Sequence, residues 1–216
     1  MINEKEIIEL ITKSVLEVLK DDKTEDKGIR VGISMRHAHL SREDIDRLFG
    51  KGYQLTKFRD LMAGDFAANE RITIIGPKLH AIEKVRILGP ARGMTQVEIS
   101  RTDAYTLGVD PPVRASGDLK GSSPIILVGP KGAINLSEGC IIANRHIHLT
   151  PDAAALYGVK DNDHVKVKVE GVKAAILDAV QIRVRPEFKC EMHIDSDDAN
   201  ACGLFSGDKI TIIKSR

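Results

Sequence analysis

With 216 residues, 42% of them hydrophobic and 29% charged, the chain is long enough to bury one large or two modest cores and has an ordinary globular composition. Its 32 basic and 31 acidic residues nearly cancel, which excludes nucleic acid or an anionic membrane as partners recruited by overall charge, so any anion site has to be local. Cys140, Cys190 and Cys202 have no framework spacing and read as buried free thiols; with no bilayer-length apolar run and no secretory leader, a cytoplasmic location is expected.

Residues 1–20 carry Ile7, Ile8, Ile11, Val15, Leu16 and Leu19 at helical spacing, with charged residues over much of the remaining surface. This predicts an amphipathic helix, followed by a charged, solvated linker that ends near residue 27. Such a helix either packs on its own domain or a second subunit, or docks into a groove on a partner.

From Ile29 onward short apolar runs alternate with turn residues. Strands are expected over 29–35, 54–58, 71–75, 84–88, 95–99, 125–128, 140–143, 165–169, 179–184 and 209–213, with Gly-Pro at 76–77, 89–90 and 129–130 between runs. Many short strands without long alternating helices indicate antiparallel barrels or a sandwich.

One stretch occurs twice. Ser34-Met35-Arg36-His37-Ala38-His39-Leu40-Ser41 returns, at an offset of 109 residues (37 to 146), as Ala143-Asn144-Arg145-His146-Ile147-His148-Leu149-Thr150. In an extended strand residues i and i+2 share a face, so each His-x-His presents two imidazoles side by side. Each copy is followed by a helix start: Ser41 with Asp44 as a capping-box variant, and Thr150 with Pro151 at the first helical position.

The repeat extends beyond the histidines. Residues 98–108 align without a gap on 193–203, at an offset of 95 (98 to 193), matching Ile, Asp, Ala and Gly. Two related halves, about 29–120 and 125–216, follow. The alignment sets Glu98 opposite His193, and both are ligands for Zn²⁺ or another first-row metal. One half thus offers His37, His39 and Glu98, and the other His146, His148 and His193. Three ligands leave a coordination position open, as catalytic metal sites do. A single His-x-His is more often hydrogen-bonded structure; the internal repetition with a third ligand is what favours metal. His80 and His164 have no counterpart and read as surface residues. Arg36 and Arg145 are either ion-paired structure or groups bracing the histidines, and spacing does not separate these. Arg92, in a glycine-flanked turn six residues before Glu98, suits a bidentate grip on an oxyanion. Ser34 and Ser116 are further polar candidates for ligand binding.

Five motifs in order carry a family resemblance: the two Arg-His-x-His-Leu-Ser/Thr segments, Pro90-Ala91-Arg92-x-x-Thr95-Gln96-Val97-Glu98, Arg114-Ala115-Ser116-Gly117-Asp118, and Glu191-Met192-His193-Ile194-Asp195-x-Asp197-Asp198-Ala199-Asn200. Across residues 29–213 the chain resembles the PduL-type phosphate acyltransferases, or phosphate propanoyltransferases. The resemblance implies a mainly β fold with short helices, made of two repeat-related β-barrels. The first spans 36–143; the second is built from 144–216 with an exchanged first strand, 28–35. It implies reversible transfer of a short-chain acyl group between coenzyme A, as substrate, and inorganic phosphate. It also implies two zinc ions, with His37 and His39 as one ligand pair and His146, His148 and His193 as the other set. Glu98 matches the carboxylate between the metals and Arg92 the phosphate-binding arginine. Residues 1–20 look like the encapsulation peptides that carry family members into the lumen of bacterial microcompartments, with shell or core proteins as partners, and a homo-oligomer is expected. Two other readings of the same ligands are a dinuclear metal hydrolase and a non-catalytic metal-binding module.

Overall fold

The computed structural model describes Thr12 and residues 28–213. The helix and linker expected over 1–27 lie, Thr12 apart, outside these residues. In chain order the strands of the first half are β1 (Ile29–Ile33), β2 (His37–Ser41), β3 (Lys57–Asp60), β4 (Phe66–Ile75), β5 (Ala81–Arg92), β6 (Gln96–Glu98), β7 (Val113–Arg114), β8 (Ser123–Val128) and β9 (Ala133–Ala143). The second half adds β10 (His146–Leu149), β11 (His164–Val169), β12 (Ala175–Val184), β13 (Glu191–Ile194) and β14 (Lys209–Ile213). Four short helices interrupt them among the described residues: α1 (Arg42–Phe49), α2 (Arg101–Leu107), α3 (Pro151–Tyr157) and α4 (Ser196–Cys202).

The fold is mostly β, and its strands close two six-stranded barrels. In one, β8 joins β4 to β9 and so closes the path β4-β5-β2-β6-β9-β8, with β3 and β7 appended. The other runs β1-β13-β10-β12-β11-β14 and closes on itself. The two match strand for strand. β2 lies between parallel β5 and antiparallel β6, as β10 lies between parallel β12 and antiparallel β13. Likewise β9 runs parallel to β6 as β1 runs parallel to β13.

The closing strands are exchanged between the barrels. β1 leads directly into β2 but sits in the barrel of β10, whereas β9 leads into β10 but sits in the barrel of β2. The chain therefore crosses from one barrel to the other twice, at residues 34–36 and at 144–145. Each crossing stops one residue short of a His-x-His.

Alternation along β2 and β10 sorts their side chains. Ala38 and Leu40 are fully buried in one core, and Ile147 and Leu149 in the other. Full burial of each large aliphatic side chain contributes about 1.5–3 kcal/mol. The helices plug the barrel ends: Ile45, Leu48, Ala104 and Leu107 complete the first core, Ala154, Ala199 and Cys202 the second. The Ser41 side chain accepts from Asp44 N at 3.1 Å and that of Thr150 from Ala153 N at 3.3 Å, so both expected caps form. A cap of this kind contributes about 1 kcal/mol. Asp44 does not reach back to Ser41, however; the Thr95 hydroxyl bridges Asp44 Oδ2 and Ser41 N.

Four sequence expectations need correction. The barrels are mixed and not antiparallel, since β1–β13, β2–β5, β6–β9 and β10–β12 pair in parallel. β5 continues through Gly89-Pro90, which forms a cis peptide and marks a register shift against β2 instead of ending the strand; a Gly89 Cβ would stand 2.3 Å from the Phe66 ring, so glycine here makes room for that ring. β13 was missed as a strand: only four residues long, it is extended by its pairing with β1 and β10. Cys190 is exposed, while Cys140 and Cys202 are buried as expected.

Gly76 packs against the end of α2, where an added Cβ would fall 1.9 Å from the Leu107 carbonyl oxygen. Gly76→Ala should therefore cost roughly 1–3 kcal/mol of stability, read as a lowered urea midpoint. An unchanged midpoint would show that the contact yields freely.

Candidate functional site

Both histidine pairs are brought to one cleft between the barrels, of about 1260 Å³. The third ligand of each set arrives through strand register: His37 pairs with Glu98 across β2 and β6, and His146 with His193 across β10 and β13. The equivalence inferred from the repeat is thus a register equivalence, with Glu98 and His193 at matching places in matching barrels.

In the first set the His37 and His39 ring centroids are 5.0 Å apart, and His37 Nε2 lies 3.5 Å from Glu98 Oε2. In the second, His146 lies 4.7 Å from His148 and 5.2 Å from His193, and His148 lies 4.8 Å from His193. Within each set the nearest ligand atoms all fall within 4.8 Å of one another. The His148 ring also stacks on Phe188 at 4.1 Å, which restricts its rotation.

Hydrogen bonding orients two of the rings. His37 Nδ1 is 2.9 Å from the Met35 carbonyl oxygen, and His146 Nδ1 is 2.8 Å from that of Asn144. A carbonyl only accepts, so each Nδ1 carries the proton and each Nε2 keeps its lone pair. Arg92, Ser116 and Gln96 form a polar wall beside the first set. Gln96 Nε2 donates to Glu98 Oε1 and to Ser116 Oγ, and Arg92 Nη2 is paired with Asp65 Oδ2 at 2.8 Å, 3.5 Å from Ser116 at its other nitrogen. Ser34 Oγ lies 3.5 Å from His37 Nδ1.

Burial keeps three of the imidazoles neutral. It pushes His39 down to about 3, helped by His37 and Arg92, and His146 down to about 4 against the Asn144 hydrogen bond. His148 falls to about 2 through burial and then its neighbours His146 and His193. For Glu98 burial alone would raise the pKa, but His37, His39, the Ser116 hydroxyl and His146 together hold it below the usual carboxylate range. Glu98 thus interacts with histidines of both sets.

These residues fit a metal. Both His148 ring nitrogens and His39 Nδ1 are buried without a hydrogen-bond partner among the described residues. Neutral imidazoles with such nitrogens beside an ionised carboxylate form a nitrogen and oxygen donor set suited to Zn²⁺.

A pH consequence follows for metal-free protein. A histidine whose folded pKa lies below its unfolded value of about 6.5 takes up its proton first in the unfolded chain. Chelator-treated protein should therefore lose stability as pH falls below 6.5 and continue to lose it down to about 4, by up to about 1.4 kcal/mol per pH unit for each such histidine. Urea midpoints across that range would measure it. A flat profile would contradict three neutral buried histidines.

His80 and His164 are exposed, as expected. Several residues in or directly behind the cleft carry no site assignment from the sequence. Gln96 and Glu191 stand two positions before Glu98 and His193 on the same strand faces, so the period-2 rule was a usable signal. Glu191 Oε2 lies 3.1 Å from His193 Nε2. Arg183 faces the site because β12 pairs it with His148, and Asp65 because β4 leads from it; neither carries a local signal.

Residues 30–205 match the family model described as phosphate propanoyltransferase. A phosphate propanoyltransferase of Lachnoclostridium phytofermentans is 56% identical over 95% of this chain and 98% of its own. That of Thermotoga maritima is 56% identical over 87% and 90%, and that of Priestia megaterium 52% identical over 94% of each chain. Matching motifs, matching barrels and full-length similarity lead to one conclusion: this chain belongs to the phosphate propanoyltransferase family of acyltransferase enzymes.

Proposed function

We propose that this protein transfers a short-chain acyl group, propanoyl or acetyl, reversibly between coenzyme A and inorganic phosphate, with two zinc ions held by His37, His39 and Glu98 and by His146, His148 and His193. The observation that carries the reading is the opening of both three-residue sets on one cleft beside Arg92, in a chain of this family. When bound, zinc supplies Lewis acidity toward the thioester carbonyl and affinity for the thiolate sulfur.

The chain's own residues do the rest. Arg92 exchanges Asp65 for phosphate and grips two of its oxygens with the guanidinium fork; because the Asp65 pair is partly exposed, releasing it costs little. Ser116 and Gln96 fix the wall against which that anion lies. A phosphate oxygen attacks the thioester carbonyl carbon, the C–S bond breaks, and acyl phosphate and coenzyme A thiolate are the products. The cationic side chains of Arg183 and Arg185 line the same cleft and favour both anionic substrates. Holding both reactants in one cleft supplies much of the rate, and no protein nucleophile is needed.

Coenzyme A release from propanoyl-CoA should depend strictly on added phosphate and vanish after chelation, returning with Zn²⁺. Release without phosphate would indicate a hydrolase, and full activity in metal-free protein would sink the metal reading. Residues 1–20 are proposed as the segment that carries the protein, as a homo-oligomer, into a microcompartment for propanediol degradation. Deleting 1–27 should leave turnover intact and abolish encapsulation.

A further inference from the structure

Arg36 and Arg145 precede His37 and His146 at the two points where the chain crosses between barrels. Arg36 holds Asp103 through Nε at 2.9 Å and Nη2 at 2.7 Å, and Arg145 Nε holds Asp198 at 2.7 Å. The two acids are repeat equivalents. Each sits five residues after the third ligand of its set, in the first turn of the helix that follows: Asp103 in α2 after Glu98, Asp198 in α4 after His193.

Both acids are fixed in turn. Asp103 is almost fully buried and closes a capping box with Ser100; Asp198 N donates to the N-cap Asp195 at 2.9 Å. The two helix starts are also tied to each other, since Thr102 N donates to Asp197 Oδ2 at 2.7 Å. Each arginine is thus anchored to a rigid cap rather than to a mobile side chain.

The anchoring acts on a particular peptide group. The Met35 carbonyl that receives the His37 Nδ1 proton belongs to the peptide unit joining Met35 to Arg36, and the Asn144 carbonyl that receives the His146 proton belongs to the unit joining Asn144 to Arg145. Pinning the arginine fixes the plane of that peptide unit. The Arg145–Asp198 pair is partly exposed on both sides and adds little to global stability, whereas Arg36 also supports the fold through buried Asp103; that the pair recurs at the more exposed crossing calls for a local role.

We propose that Arg36 and Arg145 are positioning residues: each ties the strand crossing to the helix cap behind the third ligand and thereby holds the following histidine in the tautomer that offers Nε2. The tautomer claim stands on the geometry alone; its effect on metal binding rests on the zinc reading above. Outer partners that set a ligand's tautomer typically change metal affinity 10- to 100-fold.

The test uses the full chain with ¹⁵N-labelled histidine, freed of metal by chelation and held at pH 8, with ring nitrogens read by two-bond ¹H–¹⁵N correlation. Wild type should show Nδ1–H at His37 and His146. Arg36→Gln should convert His37 to a tautomer mixture and leave His146 alone, Arg145→Gln should do the reverse, and Arg36→Lys should lie between. Asp103→Asn, which approaches the pair from its buried side, should reproduce the Arg36→Gln pattern and guards against misfolding of one variant. In a Zn²⁺ titration each variant should weaken one of two binding steps about 10- to 100-fold and leave the other unchanged, with the thermal midpoint of the metal-free protein little changed for Arg145→Gln and lowered for Arg36→Gln, which strands buried Asp103. Wild-type ring signals in both arginine variants would overturn the proposal, as would equal weakening of both steps in step with lost stability. Should the wild type bind no Zn²⁺, the zinc reading fails, while the ring signals still decide this one.

Discussion

Glu98→Gln should lower kcat/KM for acyl transfer roughly 100- to 1000-fold, with only a modest fall in the stability of the metal-free protein. The two halves of this expectation have separate causes. Glu98 is the one acid in the two ligand sets, and its charge reaches histidines of both. An amide at that position keeps the shape and still accepts from Gln96 Nε2, but removes the negative charge that would offset bound cations. In metal-free protein burial opposes the same charge, but the neighbouring histidines and the Ser116 hydroxyl outweigh that and favour it, so its loss should lower stability a little. Its removal leaves no opposite charge stranded, so the fall should be smaller than that for breaking a buried ion pair. Steady-state rates with Zn²⁺ added and thermal midpoints after chelation measure the two arms. Activity within threefold of wild type would remove Glu98 from the site's chemistry, and a large fall in metal-free stability would make it a structural residue.

Arg92→Ala should raise the phosphate KM about 10- to 100-fold, with a smaller effect on turnover at saturating phosphate. The size follows from losing charge-assisted hydrogen bonds to an anion, each contributing about 1.5–3 kcal/mol. Arg92→Lys should recover part of the loss, because an ammonium keeps the charge but not the planar fork. Stability should move little, since the Asp65 pair that Arg92 makes in this structure is partly exposed. Initial rates against phosphate concentration at fixed acyl-CoA read the effect; unchanged phosphate dependence would dismiss the assigned grip.

What the sequence revealed and what it concealed have physical reasons. His37 and His39, and later His146 and His148, announce themselves because a strand's period of two is visible in the chain itself. Glu98 and His193 came from a second kind of information, the internal repeat, which works because register in one barrel is copied in the other. The barrels were legible as a class from many short β-branched runs. Strand lengths were not: β5 passes through Gly89-Pro90, where the glycine leaves space for Phe66, distant in sequence, and marks no turn. β13 has four residues and little pattern, and only pairing to β1 and β10 extends it. Arg183 and Asp65 enter the cleft through parallel pairing and strand direction, relations that no local stretch of residues records. Cys190 was read as buried on composition; it sits at the edge of β13, beyond the reach of the core.

The exchange of β1 and β9 bears on the order in which the chain takes shape during synthesis. Val31 pairs with Met192 and Ile29 with Ile210, so the first strand to leave the ribosome waits for nearly the last. The barrel of β2 has all six of its strands once Ala143 has emerged and is free to close first. Until β13 and β14 arrive, β1 waits as an unpaired edge, a site open to wrong pairing with another chain. The long-range closure of the second barrel should set the slow step of refolding. Only the second barrel depends on the other half for a strand: expressed from residue 144 onward it would have five strands and two open edges, and adding the segment 28–35 as a separate peptide should restore it.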